Sequence, residues 1–335
     1  MIGGRRVVVV GGGVAGIACA RRLVEHRFDV VVLDRGRRLG GRMATRTLRG
    51  TGTPYDGHVV DVGAAYLTAD DPAFAAVVAD WVARGLVRPW TDTVLVRDPG
   101  AEPRADTGPT RYAATAGLRS LVEDLAADLP VVVSARDVGA VSRTGAGVSL
   151  DGEAIDAVVL AMPGPQAVDL LGIDDPVLAV LEQQTWDPVV TLVAAYDERA
   201  WPPFDAMFVN DSAVLSFVAD DGRRRGDQAP VLVAHSTPFF AARHLDDPAS
   251  AGLALVDALT ASAAATAAPS WTDVRRWSLA RVREPVDEPF WWDGAVGLCG
   301  DAWGSSSRIQ TAWLSGTALA DRIAAAPGSR SSTLP

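Results

Sequence analysis

The chain opens on a short run of β-branched residues, Val7 to Val10, broken at once by Gly11, Gly12 and Gly13, after which Ile17, Ala20 and Leu23 recur at helical spacing. A second such run, Val30 to Leu33, ends in Asp34. Strands buried on both faces of a parallel sheet read as continuous apolar runs, so residues 7–34 form one βαβ unit of an α/β domain. Further on, Phe74, Val77, Val78, Trp81 and Val82 predict a helix over 72–86 that Gly85 closes. Pro99, Gly100, Pro103, Gly108 and Pro109 then predict irregular loops. A helix over 118–129 and strands over 131–134 and 157–162 follow, the last ended by Pro163-Gly164-Pro165, with a meander through Gly139, Gly145 and Gly152 between them. From 166 to 285, strands at 189–196 and 231–235 and an Ala-rich helix at 250–266 look like a separate cap. The pattern closes on a strand at 295–299 and a helix over 309–324.

Length and composition narrow the field. A chain of 335 residues suggests two domains, and 48% hydrophobic with 21% charged residues is the composition of a soluble globular protein. All 31 cationic residues are arginine. Without lysine, Schiff-base chemistry, a pyridoxal phosphate anchor and a P-loop amine are excluded. The net charge of −10 argues against nucleic acid as partner. Residues 1–60 nevertheless hold eleven Arg against four acids, a basic block that suits a small anionic ligand. Cys19 and Cys299 are too few for a disulfide framework or a zinc site, the four His show no ligand spacing, and a reducing cytoplasm is expected. The glycines that break the opening apolar run speak against a signal peptide, and no apolar stretch reaches the roughly 20 residues needed to cross a bilayer.

The glycines have a more specific reading. Gly11-x-Gly13-x-x-Gly16 joins a strand to a helix, with Asp34 at the end of the next strand, which is the arrangement of a dinucleotide fingerprint. Gly11 permits the turn, Gly13 lets backbone approach a pyrophosphate, Gly16 allows close helix–strand packing, and Asp34 can accept from a ribose diol. The next stretch, Arg38-Leu39-Gly40-Gly41-Arg42-Met43-Ala44-Thr45, resembles a motif of the flavoprotein amine oxidase superfamily, and Gly300-Asp301 resembles its second FAD signature. Within that superfamily the chain is similar to renalase and its bacterial relatives. The resemblance runs through Asp61 to Thr68, Gly85 to Trp90, Ala161 to Pro165, Val233 to Pro238, Arg276-Trp277, Cys299 to Asp301 and Ala312 to Gly316.

That resemblance implies a Rossmann-type, p-hydroxybenzoate-hydroxylase-like domain (1–75, 108–165 and 286–327), an inserted α+β substrate cap (76–107 and 166–285) and a flexible tail (328–335). It also implies noncovalent FAD. The residues it points to are Gly11, Gly13, Val14, Ala15, Gly16, Asp34, Arg35, Gly41, Arg42, Met43, Gly63, Ala64, Val138, Met162, Gly300, Asp301, Arg308 and Ile309. The reaction implied is oxidation of 2- or 6-dihydro isomers of NAD(P) to NAD(P)+, with hydride passing to flavin N5 and O2 reduced to hydrogen peroxide. Such a reaction needs a flat, dry slot and no general base, because the ring becomes aromatic as it is oxidised. Tyr66, His235, Trp303 and Gln310 are the candidates to line that slot. Ala65 and Gln310-Thr311 depart from the relatives' Gln and Glu-Gly, which leaves the substrate open. The alternatives are a flavin oxidase or desaturase acting on an amine or another small metabolite, and a flavin-binding protein without turnover.

Overall fold

A computed structural model describes residues 5–144, 147–172 and 174–326; the expected tail, the first residues and the turn at Gly145 lie outside them. The chain divides into two compact units: Met1–Leu39, Leu125–Gln184 and Glu284–Pro335 form the first, and Gly40–Asp124 with Thr185–Arg283 the second.

In the first unit the strands Arg6–Val10, Asp29–Asp34, Val132–Ser134, Ala157–Leu160 and Val296–Leu298 run parallel, with Trp291–Trp292 added antiparallel at the edge. Numbered along the chain, the five parallel strands lie in the order 3-2-1-4-5, the doubly wound arrangement whose connections reverse beside the first strand. Val7 to Val10 are buried, as the continuous apolar run requires. The helices Val14–Glu25 and Ile309–Ala325 pack tightly, since a Cβ on Gly316 would sit 2.1 Å from the Ala15 carbonyl oxygen. A three-stranded antiparallel sheet, Val141–Thr144, Gly147–Leu150 and Glu153–Ile155, completes the unit.

The second unit is built on a seven-stranded sheet in the order Trp271–Val282, Trp186–Ala195, Val231–Ser236, Leu215–Asp220, Ala206–Val209, Val87–Arg97, Arg104–Ala114. All its neighbours pair antiparallel except Ala206–Val209 with Val87–Arg97. Two expectations are corrected here. The stretch after Gly85 is not irregular: it forms a long hairpin of two eleven-residue strands. Its Pro and Gly residues are tolerated because Arg104–Ala114 is the outermost strand and its pairing skips a register near Pro109. The compact units also divide differently from the expected domains. The boundary at 107/108 would cut through a strand, residues 40–75 pack within the second unit, and residues 166–184 belong to the first. Leu48, Val60 and Val62 are buried in one cluster with Val193, Ala195, Val231 and Val233, which is why the 40–75 segment goes with the large sheet.

Candidate functional site

In the first unit the residues after the first strand form a cradle whose glycines do three different jobs. Gly11 has φ +114°, and a Cβ there would lie 2.5 Å from the Ala161 carbonyl oxygen, so the turn admits only glycine. A Cβ on Gly16 would come within 2.0 Å of the Gly11 carbonyl oxygen, which fixes how closely the helix lies against the strand. Gly13 has nothing within 4 Å of that position. As N-cap of the helix Val14–Glu25 it leaves open backbone that an anionic diphosphate can approach, at the positive end of the helix.

Asp34 closes the cradle from the next strand. Its Oδ2 accepts from the Gly12 amide at 2.5 Å and its Oδ1 from the Gly36 amide at 2.6 Å. Each carboxylate oxygen keeps further acceptor capacity for a ribose hydroxyl. Arg136 N bonds the Asp34 carbonyl oxygen and Ala135 N that of Gly36, which holds the segment carrying buried Val138 beside this strand. At the far end of the chain Asp301 is buried and accepts from Ser307 Oγ at 2.5 Å, while Gly300 N donates to Ser315 Oγ of the last helix at 3.0 Å. Gly300 too faces open space. Arg308 caps the start of that helix, where Ile309 and Gln310 follow; Gln310 and Trp303 are both buried. The donor set of amides and carboxylates around open glycine backbone fits an FAD of pyrophosphate and hydroxyls.

In the second unit Asp61 fixes the segment from Asp61 to Thr68. Its Oδ1 accepts from Thr45 Oγ1 and Leu118 N, both at 2.8 Å, and its Oδ2 from Arg225 Nη2 at 2.9 Å. Arg225 Nε also reaches Asp221 Oδ2 at 3.0 Å, and Arg224 pairs with the other oxygen of Asp221. His58 bridges Asp221 at 3.0 Å and Asp227 at 3.1 Å. Burial pushes the Asp221 carboxyl up, but Arg224, Arg225 and His58 outweigh it and hold the group well below the usual carboxylate range. Gly63 is demanded by packing, because a Cβ there would meet the Arg42 carbonyl oxygen at 2.0 Å. Arg42 itself donates to the Ala280 carbonyl oxygen at 3.2 Å and lies 5.2 Å over the Trp186 ring. Trp277 Nε1 donates to the Val62 carbonyl oxygen at 2.8 Å.

The turn that follows delivers Tyr66 to an aromatic surface on the large sheet. Tyr66 lies 6.2 Å from Trp90 and 6.0 Å from Phe217, centroid to centroid, and Phe217 lies 5.7 Å from the His235 ring. The Arg111 guanidinium sits 5.4 Å over the Tyr66 ring, and Arg224 Nη1 donates to the Ala65 carbonyl oxygen at 2.8 Å. Burial, with the Arg224 charge second, pushes the His235 imidazole down to about 4, so the ring is neutral at physiological pH.

Comparison with known proteins agrees with the fold and extends it. Residues 9–81 match an NAD(P)-binding Rossmann-like domain. Cyclohexylamine oxidase from Brevibacterium oxydans IH-35A superposes at TM-score 0.74 with 13% identity, over 96% of this chain and 99% of its own. A putrescine oxidase bound to putrescine superposes at 0.72 with 16% identity over the same shares of both chains. The match to amine oxidase [flavin-containing] A of Canis lupus familiaris is 48% identical over 61 residues, 18% of this chain and only 10% of the relative's length. Renalase of Mus musculus, by contrast, aligns over 311 residues at 23% identity, 84% of this chain and 87% of its own. The chain is similar to renalase over most of both lengths, and it shares the fold of cyclohexylamine oxidase and putrescine oxidase.

Of the four slot candidates, the structure brings both Tyr66 and His235 against Phe217, while Trp303 and Gln310 belong to the first unit. Sequence reasoning did not single out Phe217, Arg111 or Arg224. Asp221 stands three and four residues before Arg224 and Arg225, the spacing at which a short helix pairs opposite charges, and that was the available signal.

Proposed function

We propose that this renalase-like chain is an FAD-dependent oxidase that returns 2- or 6-dihydro isomers of NAD(P) to NAD(P)+. The observation that carries this reading is the likeness to renalase over most of both chains, combined with a glycine cradle whose middle position is open to a diphosphate. When bound, FAD supplies a hydride acceptor at N5 and a path for the electrons to O2, which leaves as hydrogen peroxide. The chain's own residues bind, orient and exclude water. Gly11, Gly13, Asp34 and Asp301 are the groups that would hold the cofactor. Tyr66 and Phe217 offer flat apolar faces to the substrate ring, and His235 stays uncharged and takes no proton at neutral pH. No base is required, because loss of hydride makes the ring aromatic.

The test is anaerobic mixing of the yellow holoprotein with borohydride-reduced NAD, which contains the 2-, 4- and 6-dihydro isomers. Bleaching of the visible flavin band by the 2- or 6-isomer, and not by ordinary NADH, is expected. Bleaching by amines alone would replace this reading with the amine-oxidase alternative. That alternative lacks one common device, since the chain has no lysine to place beside the flavin.

A further inference from the structure

Thr191 lies in the strand Trp186–Ala195, flanked in sequence by Val189, Val190, Leu192 and Val193, and it is fully buried. A valine would serve this strand equally well. Yet the residue is a threonine whose hydroxyl has no hydrogen-bond partner among the described residues, and the buried Nε2 of His235 has none either. The two residues stand directly opposite each other in the ladder between Trp186–Ala195 and Val231–Ser236. Directly opposed residues of an antiparallel pair project from one face with Cβ atoms about 5 Å apart, so the two orphaned groups are neighbours. Buried polar atoms are normally satisfied, and two adjacent exceptions call for a bound group that bonds both.

The register carries this pair into the aromatic surface. His235 is opposite Phe217 and Phe217 is opposite Phe208, so Thr191, His235, Phe217 and Phe208 form one row across four strands, on the face against which Tyr66 packs. The ring contacts agree, with Phe208 at 5.3 Å and His235 at 5.7 Å from Phe217. His235, Phe208 and Tyr66 are each partly exposed, so the row is reachable from solvent at its aromatic end, while Thr191 closes the buried end. Beyond Thr191 the ladder places Arg275, whose Nε and Nη2 are taken by Asp273 at 2.6 and 2.8 Å. A hydroxyl offers one donor and two acceptor sites, and the uncharged imidazole offers one of each. Side by side they match a group that donates and accepts at once, and they supply no counter-charge for an ammonium.

We propose that Thr191 and His235 are the specificity-determining pair of the substrate slot, and that they grip the carboxamide of the pyridine ring while Phe217 and Tyr66 hold its face. The identity of the ring rests on the reaction proposed above. Thr191 then carries a hydroxyl kept for the ligand: it costs the free protein stability and is satisfied only when the slot is filled.

Calorimetric titration of the holoprotein with NAD+ and with its 3-acetylpyridine analogue, in which a methyl group replaces the NH2, tests the pair. About tenfold tighter binding of NAD+ is expected, the size of one hydrogen bond. The ratio should fall toward one in Thr191→Val and in His235→Phe, and stay high in Thr191→Ser, which keeps the hydroxyl. The melting temperature of Thr191→Val holoprotein should equal or exceed that of the parent, because a methyl group has replaced an orphaned hydroxyl. Equal or undetectable affinities in the parent, a ratio that Thr191→Val leaves unchanged, or a lower melting temperature of Thr191→Val overturns the proposal; the last would mean that the hydroxyl already bonds a structural partner such as a buried water. The reaction is scored separately with the 2- and 6-dihydro isomers. Their oxidation alongside a flat ratio removes the pair and leaves the reaction, whereas a ratio that holds without oxidation removes the reaction and leaves the pair.

Discussion

Asp221 is a buried carboxylate that Arg224, Arg225 and His58 all face. Asp221→Asn leaves the interior guanidinium of Arg224 without its counter-charge and Arg225 with Asp61 alone, a change that costs about 3–5 kcal/mol where a buried pair is broken. Denaturant unfolding would read this as a lower midpoint. The pH dependence follows from the same contacts. Asp221 has a depressed folded value, so its contribution is present above its ordinary value of 3.8 and is lost as pH falls below it. His235 is neutral when folded, with its value pushed from 6.5 to about 4, so folding is disfavoured progressively as pH drops from about 6.5 toward 4. His235→Gln is expected to flatten the stability profile across that window while leaving the fall below pH 4; an unchanged profile would show that the imidazole does not titrate in folding.

At the level of elements, the cradle separates binding from folding. Gly16→Val drives a side chain into the Gly11 carbonyl and should lower both thermal stability and FAD content. Gly13→Ala meets no protein atom, so apoprotein melting should hardly change while the ratio of flavin to protein absorbance falls. A Gly13→Ala protein that stays fully loaded would mean the diphosphate does not approach there. These elements were legible in the sequence because each obeys one local rule: Val7 to Val10 as a strand buried on both faces, Gly11 to Gly16 as the turn, and Asp34 closing the second strand. The hairpin Val87–Arg97 and Arg104–Ala114 was hidden, since the prolines that signal loops elsewhere are acceptable on an outer strand. The strand Trp271–Val282 was hidden too. Its burial alternates only weakly, and Arg275, Arg276 and Arg281 mask the β pattern. In the candidate site, Tyr66 and His235 were legible through the resemblance. Phe217 and Arg111 join them only through strand pairing across long sequence separations.

For the whole molecule, the interleaving of the two units sets how the chain can be cut. A fragment ending at residue 124 holds two of the six strands of the first unit's main sheet and two of the seven in the second. It should stay unfolded by circular dichroism, whereas a chain that folded from such a fragment would contradict the division into units. The basic opening block lies largely in the segment that forms the cradle, consistent with an anionic cofactor, and the remainder is strongly acidic. Among the described residues no helix is long and apolar enough to cross a membrane.

The outer strand Arg104–Ala114 has a consequence for life at high concentration. An open sheet edge is a template on which another copy can continue the ladder. Here the Tyr112 amide is already taken by the Leu67 carbonyl oxygen at 2.9 Å, Pro109 has no amide to offer, and the pairing with the inner strand jumps from Thr107 to Arg111. Arg104 and Asp106 add charge along the same margin. Replacing Pro109 with Val would add an amide at that position, and the variant is expected to aggregate faster on mild heating, as light scattering would record, with FAD content unchanged.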